Sequence, residues 1–171
     1  MKPTVHIRGM KDVMQNLDKV LKQTNDNCLK ALIRCSMLVR QGTEKESPKT
    51  PVDFGNLRAS WFAVTAKDTV GKQASFKGEG SGSMQTEHQS TVSSAQQVLR
   101  MGKKPSLIMG YTANYALYVH EMINADFTTP RKRGGKLIAR RKGAGAKWFE
   151  ASILRNEKQM VKIIQDEINL K

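Results

Sequence analysis

The pair His120-Glu121 is where a metal ligand or a general base would first be sought in this sequence. A zinc site on a helix needs a second imidazole four residues on, so that two nitrogens reach one ion from one face, and no such His follows. His6 and His88 stand far off in the chain and complete no cluster. Cys28 and Cys35 lie seven apart in a helical pattern, a separation of about 10 Å, beyond the ~7 Å between Cα atoms that a disulfide spans. With no His or third Cys beside them, they read as small apolar residues of a helix face. The run Gly78-Glu79-Gly80-Ser81-Gly82-Ser83 has the glycines of a phosphate cradle but no following Lys-Ser or Lys-Thr, and no helix start is evident after it. No Ser occupies a nucleophile elbow and no carboxylate pair marks a cleft-forming loop. No catalytic, cofactor-binding or metal-binding residue is therefore assigned.

Charge is the stronger signal. Lys and Arg number 29 against 15 acids, a formal charge of +14. Such an excess calls for a polyanion or for acidic neighbours in an assembly. Between Phe127 and Lys147 stand eight basic residues and no acid: Arg131, Lys132, Arg133, Lys136, Arg140, Arg141, Lys142 and Lys147. The segment Arg131 to Lys142, broken by Gly134-Gly135 and followed by Gly143 and Gly145, reads as a mobile basic loop within residues 127–147. Its seven Lys and Arg side chains are the candidate contacts to DNA phosphates or to an acidic partner surface. It holds no aromatic on which a base could stack, which speaks against a single-strand or RNA platform. No apolar run approaches the ~20 residues that cross a bilayer, so the expectation is a protein made and assembled in the cytosol without a membrane partner.

The elements that must position these residues follow from hydrophobic period. A chain of 171 residues is long enough for one domain with a real core. Thr4–Arg8 alternates apolar and polar and predicts a short strand closed by Gly9. From Met10 to Glu46, apolar residues recur every three or four positions, which predicts one long amphipathic helix or two joined near Asn25–Asn27. Pro51 to Trp61 predicts a stiff corner: Pro51 fixes φ, Gly55-Asn56 tolerates unusual backbone angles, Leu57 and Trp61 share one face of a turn, Asp53 takes an N-cap or Asx-turn role, and Arg58 projects. Trp61–Lys67 and Ser106–Tyr111 are the best strand candidates. Between them, residues 68–105 are polar and weakly periodic, which predicts a long flexible hairpin or arm. Asn114–Glu121 predicts a short buried helix, and Ala146 onward a second long helix of about 24 residues packed on the same sheet as the first.

Three blocks together resemble a known family. Thr50-Pro51-Val52-Asp53-Phe54-Gly55-Asn56-Leu57-Arg58 is similar to the Thr-Pro-Val-Asp-Thr-Gly-Asn-Leu-Arg signature of the neck and tail-completion proteins of tailed bacteriophages, also called head-tail joining or minor capsid proteins. Tyr115-Ala116-Leu117-Tyr118-Val119-His120-Glu121 resembles the family's second block, with Tyr115, Tyr118, His120 and Glu121 as its marked positions. Gly145-Ala146-Lys147-Trp148-Phe149-Glu150-Ala151 resembles the third. Phe54 replaces the usual Thr, and Met122 stands where a Gly commonly follows the Glu. The resemblance implies an α+β unit, a small mostly antiparallel sheet flanked by the long N-terminal and C-terminal helices. It further implies a non-enzymatic virion protein that assembles into a homo-oligomeric ring of six or twelve copies at the head-tail junction. Its neighbours there would be connector or head-completion proteins on one side and tail-terminator or tail-tube proteins on the other, with non-specific contact to packaged DNA. Two other readings compete: a sequence-independent nucleic-acid-binding protein acting through the basic loop, and a small hydrolase, against which the missing site weighs.

Overall fold

The computed structural model describes residues 10–133, 136–138 and 140–168. The strand expected over Thr4–Arg8, and His6 within it, lie outside them. The periodic apolar run, free of Pro and with no Gly before Gly42, forms one continuous helix, α1 (Met10–Lys45), of 36 residues, about 54 Å long. Asn25–Asn27 does not divide it. Pro48, which cannot extend a helix, follows three residues after its end.

A single turn, α2 (Asn56–Ala59), leads into β1 (Trp61–Thr65), then β2 (Thr69–Val70), α3 (Ser81–Met101), β3 (Leu107–Tyr111) and α4 (Ala116–Glu121). A hairpin of β4 (Arg131–Arg133) and β5 (Lys136–Ile138) precedes the last helix, α5 (Trp148–Ile168). The fold is α+β, with two long terminal helices and a three-stranded antiparallel sheet in the order β2-β1-β3. In the central pairing Trp61 faces Tyr111 and Thr65 faces Leu107. All five residues of β1 are buried, because the strand is covered on both faces. Phe62 and Val64 meet Val92 and Leu99 of α3 on one face. On the other, the Arg40 guanidinium of α1 lies 5.4 Å from the Trp61 ring.

Three expectations need correction. The stretch 68–105 is not a bare flexible arm: it supplies β2 and the 21-residue α3, which starts directly after Gly80 at φ 78°. Its buried stripe, His88, Val92 and Leu99, is narrow and opens with a histidine, so the apolar period is faint in the sequence. The basic segment 131–142 is likewise not simply a loop, since Arg131 pairs with Ile138, Lys132 with Leu137 and Arg133 with Lys136 in an antiparallel ladder. Finally, α5 packs along α1 rather than on the sheet, and only its first turn reaches the sheet, through Trp148 and Phe149 against Tyr111.

The two long helices run antiparallel. Ser152 Oγ donates to the Val39 carbonyl at 2.7 Å, Cys35 Sγ to the Met160 carbonyl at 3.6 Å, and Arg155 Nη1 to the Ser47 carbonyl at 2.8 Å. Gly42 permits this approach: a Cβ there would stand 2.3 Å from Ser152 Oγ. Burial pushes the Cys35 thiol up, and both cysteines are free. By contrast, α1 is uncovered over its first four turns. Every residue from Met10 to Gln23 is exposed, including the stripe Met10, Val13, Met14, Leu17, Val20 and Leu21. Among the described residues, no helix is long and apolar enough to cross a membrane.

His88 is the pin that holds α3 to the sheet. Fully buried, it places Nε2 2.7 Å from the Gly71 carbonyl and Nδ1 2.8 Å from the Thr112 hydroxyl, with the Phe62 and Phe76 rings edge-on. Nε2 therefore carries the proton and donates to the carbonyl. His88→Leu should cost about 2 kcal/mol in urea unfolding, because it takes the donor from the part-buried Gly71 carbonyl and one of two partners from the Thr112 hydroxyl.

Candidate functional site

The corner is built around one carboxylate that the sequence did not single out. Glu44, in the last turns of α1, accepts from Arg58 Nε at 2.7 Å and from Arg141 Nη1 at 2.8 Å through Oε2, while its Oε1 lies 3.2 Å from Arg40 Nη1. Arg141 also donates to the Glu44 carbonyl. One acid thus gathers guanidinium groups from α1, from the Asn-Leu-Arg turn and from the segment after β5. Arg40 adds a bond of 2.8 Å to the Arg58 carbonyl and one of 3.3 Å to the Tyr111 hydroxyl. That hydroxyl sits 3.1 Å from Thr50 Oγ1 and 3.3 Å from Thr43 Oγ1. The backbone N–H of Thr50 donates to the Thr43 carbonyl at 2.9 Å, so the chain leaving α1 is folded back upon it.

Gly55, at φ 90°, is the N-cap of α2, and no side chain caps that turn; the N-cap role assigned to Asp53 therefore falls to Gly55. Asn56 does something else with its amide. It donates to the Lys77 carbonyl at 2.9 Å and accepts from the Lys77 N–H at 2.8 Å, pairing like a strand with the segment that leads to α3. Leu57 and Trp61 are buried, as their shared face predicts.

The second and third blocks meet beside it. Leu57, Ala113, Ala116 and Trp148 form one apolar cluster, with Tyr111, Val119 and Phe149 packed against it. His120 stacks edge-on against Trp148 at 4.8 Å between ring centres. Glu121 is held by His120 Nδ1 at 3.0 Å and by Lys147 Nζ at 2.6 Å, and Lys147 also reaches Glu150 at 3.3 Å. The Lys147 backbone, in the left-handed region at φ 57°, donates to the His120 carbonyl at 2.9 Å. Hydrogen bonds from Lys147 first and His120 second hold the Glu121 carboxyl below its usual range, and the same ion pair raises Lys147. Its stabilising effect is present at neutral pH. It is lost as pH falls through the depressed Glu121 value or rises through the elevated Lys147 value.

The helix expected to be buried is buried on one side alone. Ala116 and Val119 face the cluster, whereas Leu117 and Tyr118 are 74% and 70% exposed, because six residues of helix offer the core a single face. Arg140 and Arg141 also depart from the expected role as outward contacts. Arg140 donates to the Asp126 carbonyl and Arg141 is bound to Glu44. Lys132 and Lys142 are exposed, and Arg131, Arg133 and Lys136 contribute backbone to the hairpin.

A cleft of about 710 Å3 opens between the corner and α4, lined by Phe54, Gly55, Asn56, Tyr115, Val119 and Phe127 among others. Asp126 lies at its edge. Bonds from the Thr129 hydroxyl and from the Thr128 and Thr129 backbone N–H groups hold its carboxyl far below the usual range, so it closes a turn. Burial, and then the charge of Asp53, raise the Tyr115 hydroxyl. Among the described residues, no group of three His, Cys, Asp or Glu is arranged to hold a metal ion. The site's charged groups are committed to one another, an arrangement that fixes angles between elements. Compared with family models, curated proteins and solved structures, the chain matches none.

Proposed function

We propose that this chain is a structural, non-enzymatic subunit of a tailed-bacteriophage virion. Copies of it form a ring at the head-tail junction, as a neck or tail-completion protein, sealing the joint and letting DNA pass. The observation that carries this reading is the convergence of the three blocks. Leu57, Ala116 and Trp148, one from each, share one apolar cluster, while Arg58, Glu121 and Lys147 are spent on ion pairs inside the chain. Signature residues used in this way belong to a scaffold. The bare stripe on α1 adds support: the terminal helices do fold along each other, yet four turns of apolar surface remain for another copy.

The purified chain or the virion, viewed by electron microscopy, should contain rings of six or twelve copies, bounded by connector proteins on one side and tail proteins on the other. A strictly monomeric particle in both settings refutes the reading. The exposed Lys132 and Lys142 favour sequence-independent DNA contact as a second property. Changing both to Ala should weaken duplex binding and lower the slope of log affinity against log salt by about 2. Unchanged binding removes that property.

A further inference from the structure

We infer that this protein pairs with a second copy through the bare overhang of α1, the two helices lying antiparallel over Met10–Leu21 with their apolar stripes face to face. The stripe is one end of a longer face. In steps of three or four residues, Met10, Val13, Leu17, Val20 and Thr24 lead on to Cys28, Ala31, Cys35, Val39 and Gly42, so a single line runs the length of α1. Its second half is covered by α5, which seats Ser152 on Val39 and Gly42 and sets Met160 against Cys35. Ile168, the last residue of α5, lies eight residues beyond Met160 and so comes level with about Asn27. From there toward Met10 the same line is bare, and every residue up to Gln23 is exposed. A helix this short is marginal in water by itself and takes most of its stability from packing its apolar face.

The position of α5 sets the direction of the pair. A parallel second α1 on this face would run past Gln23 into the line that α5 already fills, whereas an antiparallel one points away from α5 and continues its course. With the twofold axis near Gln15, Met10 stands opposite Val20 and Val13 opposite Leu17, while Met14 and Leu21 widen the seam. The partner's Met10 then lies about 10 Å along α1 from the end of α5, so the two helix ends do not collide. Charge agrees with this choice. Lys11 and Asp18, three residues before and four after Met14, share one edge of the stripe, and the other edge carries the uncharged Asn16 and Gln23. The twofold axis sets Lys11 of each copy beside Asp18 of the other. Six side chains between 46% and 62% exposed give each copy several hundred Å2 of apolar surface, close to the ~600 Å2 per partner at which specific interfaces begin. The pair should therefore be reversible, with a dissociation constant on the order of micromolar. Self-association of the chain is part of the phage reading; the twofold pairing is a separate claim, because an isologous contact joins copies in twos and does not itself close a ring.

The test is sedimentation equilibrium of the full chain between about 1 and about 100 μM. The wild type should pass from single chains to even-numbered species across that range. Leu17→Glu, at an exposed position, should weaken pairing at least ~tenfold, with the fold kept as read from the near-ultraviolet circular dichroism of Trp61 and Trp148. Lys11→Glu and Asp18→Lys should each weaken it about fivefold by setting like charges together, and the double variant, in which the two signs are exchanged, should recover the wild-type affinity. A wild type that stays monomeric throughout, or pairing unmoved by Leu17→Glu, overturns the inference, and rings seen by electron microscopy in either case would leave the phage reading standing. Single variants that weaken pairing without recovery in the double variant overturn it too, since the helices would then not lie antiparallel.

Discussion

Trp148→Ala should lower the unfolding free energy by about 3–5 kcal/mol, read from the midpoint of urea denaturation. The indole is 1% exposed and is met edge-on by Tyr111 at 5.9 Å and by His120 at 4.8 Å, with Leu57, Ala113 and Ala116 around it. Removing it opens a cavity at the one place where α2, β3, α4 and α5 come together, and elements from four parts of the chain cannot all collapse into the gap. Against the 5–15 kcal/mol that holds an ordinary domain together, this is a large share. Trp148→Phe is the control. It keeps an aromatic edge in place, and the indole N–H it deletes has no hydrogen-bond partner among the described residues. A loss below about 2 kcal/mol is expected for Phe. Equal losses for Ala and Phe would show that the cluster does not depend on the ring.

Glu44→Gln should cost about 3 kcal/mol, toward the lower end of the range for breaking a buried ion pair, because the Arg58 side chain is 44% exposed. The amide keeps the shape of the carboxylate and removes its charge, leaving Arg40, Arg58 and Arg141 gathered around a neutral group. Their mutual repulsion is screened by salt, so the deficit should shrink between ~0.05 M and ~1 M sodium chloride. An apolar cavity mutant such as Trp148→Ala should show no such recovery. A salt-independent loss at Glu44 would mean that packing, and not charge, holds the corner.

Much of this architecture is legible in the residues. The spacing from Met10 onward specifies α1, the aromatic run specifies β1, and Leu57 and Trp61 are buried as their separation demands. What escaped has a common cause. α3 hides behind a stripe whose first member is His88, a residue whose two ring nitrogens are satisfied only by groups 17 and 24 positions away. The Glu44 node is invisible for the same reason: Arg40 is a local partner four residues away, but Arg58 and Arg141 stand 14 and 97 residues along the chain, and no local pattern marks an acid that two distant guanidinium groups will share. Reading Arg140 and Arg141 as contacts for DNA or a partner followed from counting a run without knowing that the chain after β5 brings Arg140 to the Asp126 carbonyl and Arg141 to Glu44. Asn56 pairing with Lys77 is a further long-range device, although a Gly-Asn step invites a backbone-mimicking amide and offered a partial clue.

The continuity of α1 has a mechanical consequence. From Met10 to Gln41 the helix contains neither Gly nor Pro, so it has no joint in which a push at its tip could be absorbed. A tilt imposed at Met10 is delivered whole, as by a crowbar, to the close seat of Gly42 on Ser152 and to the carboxylate two residues beyond. Whatever seizes the projecting end therefore also grips the angle at which the rest of the molecule is held.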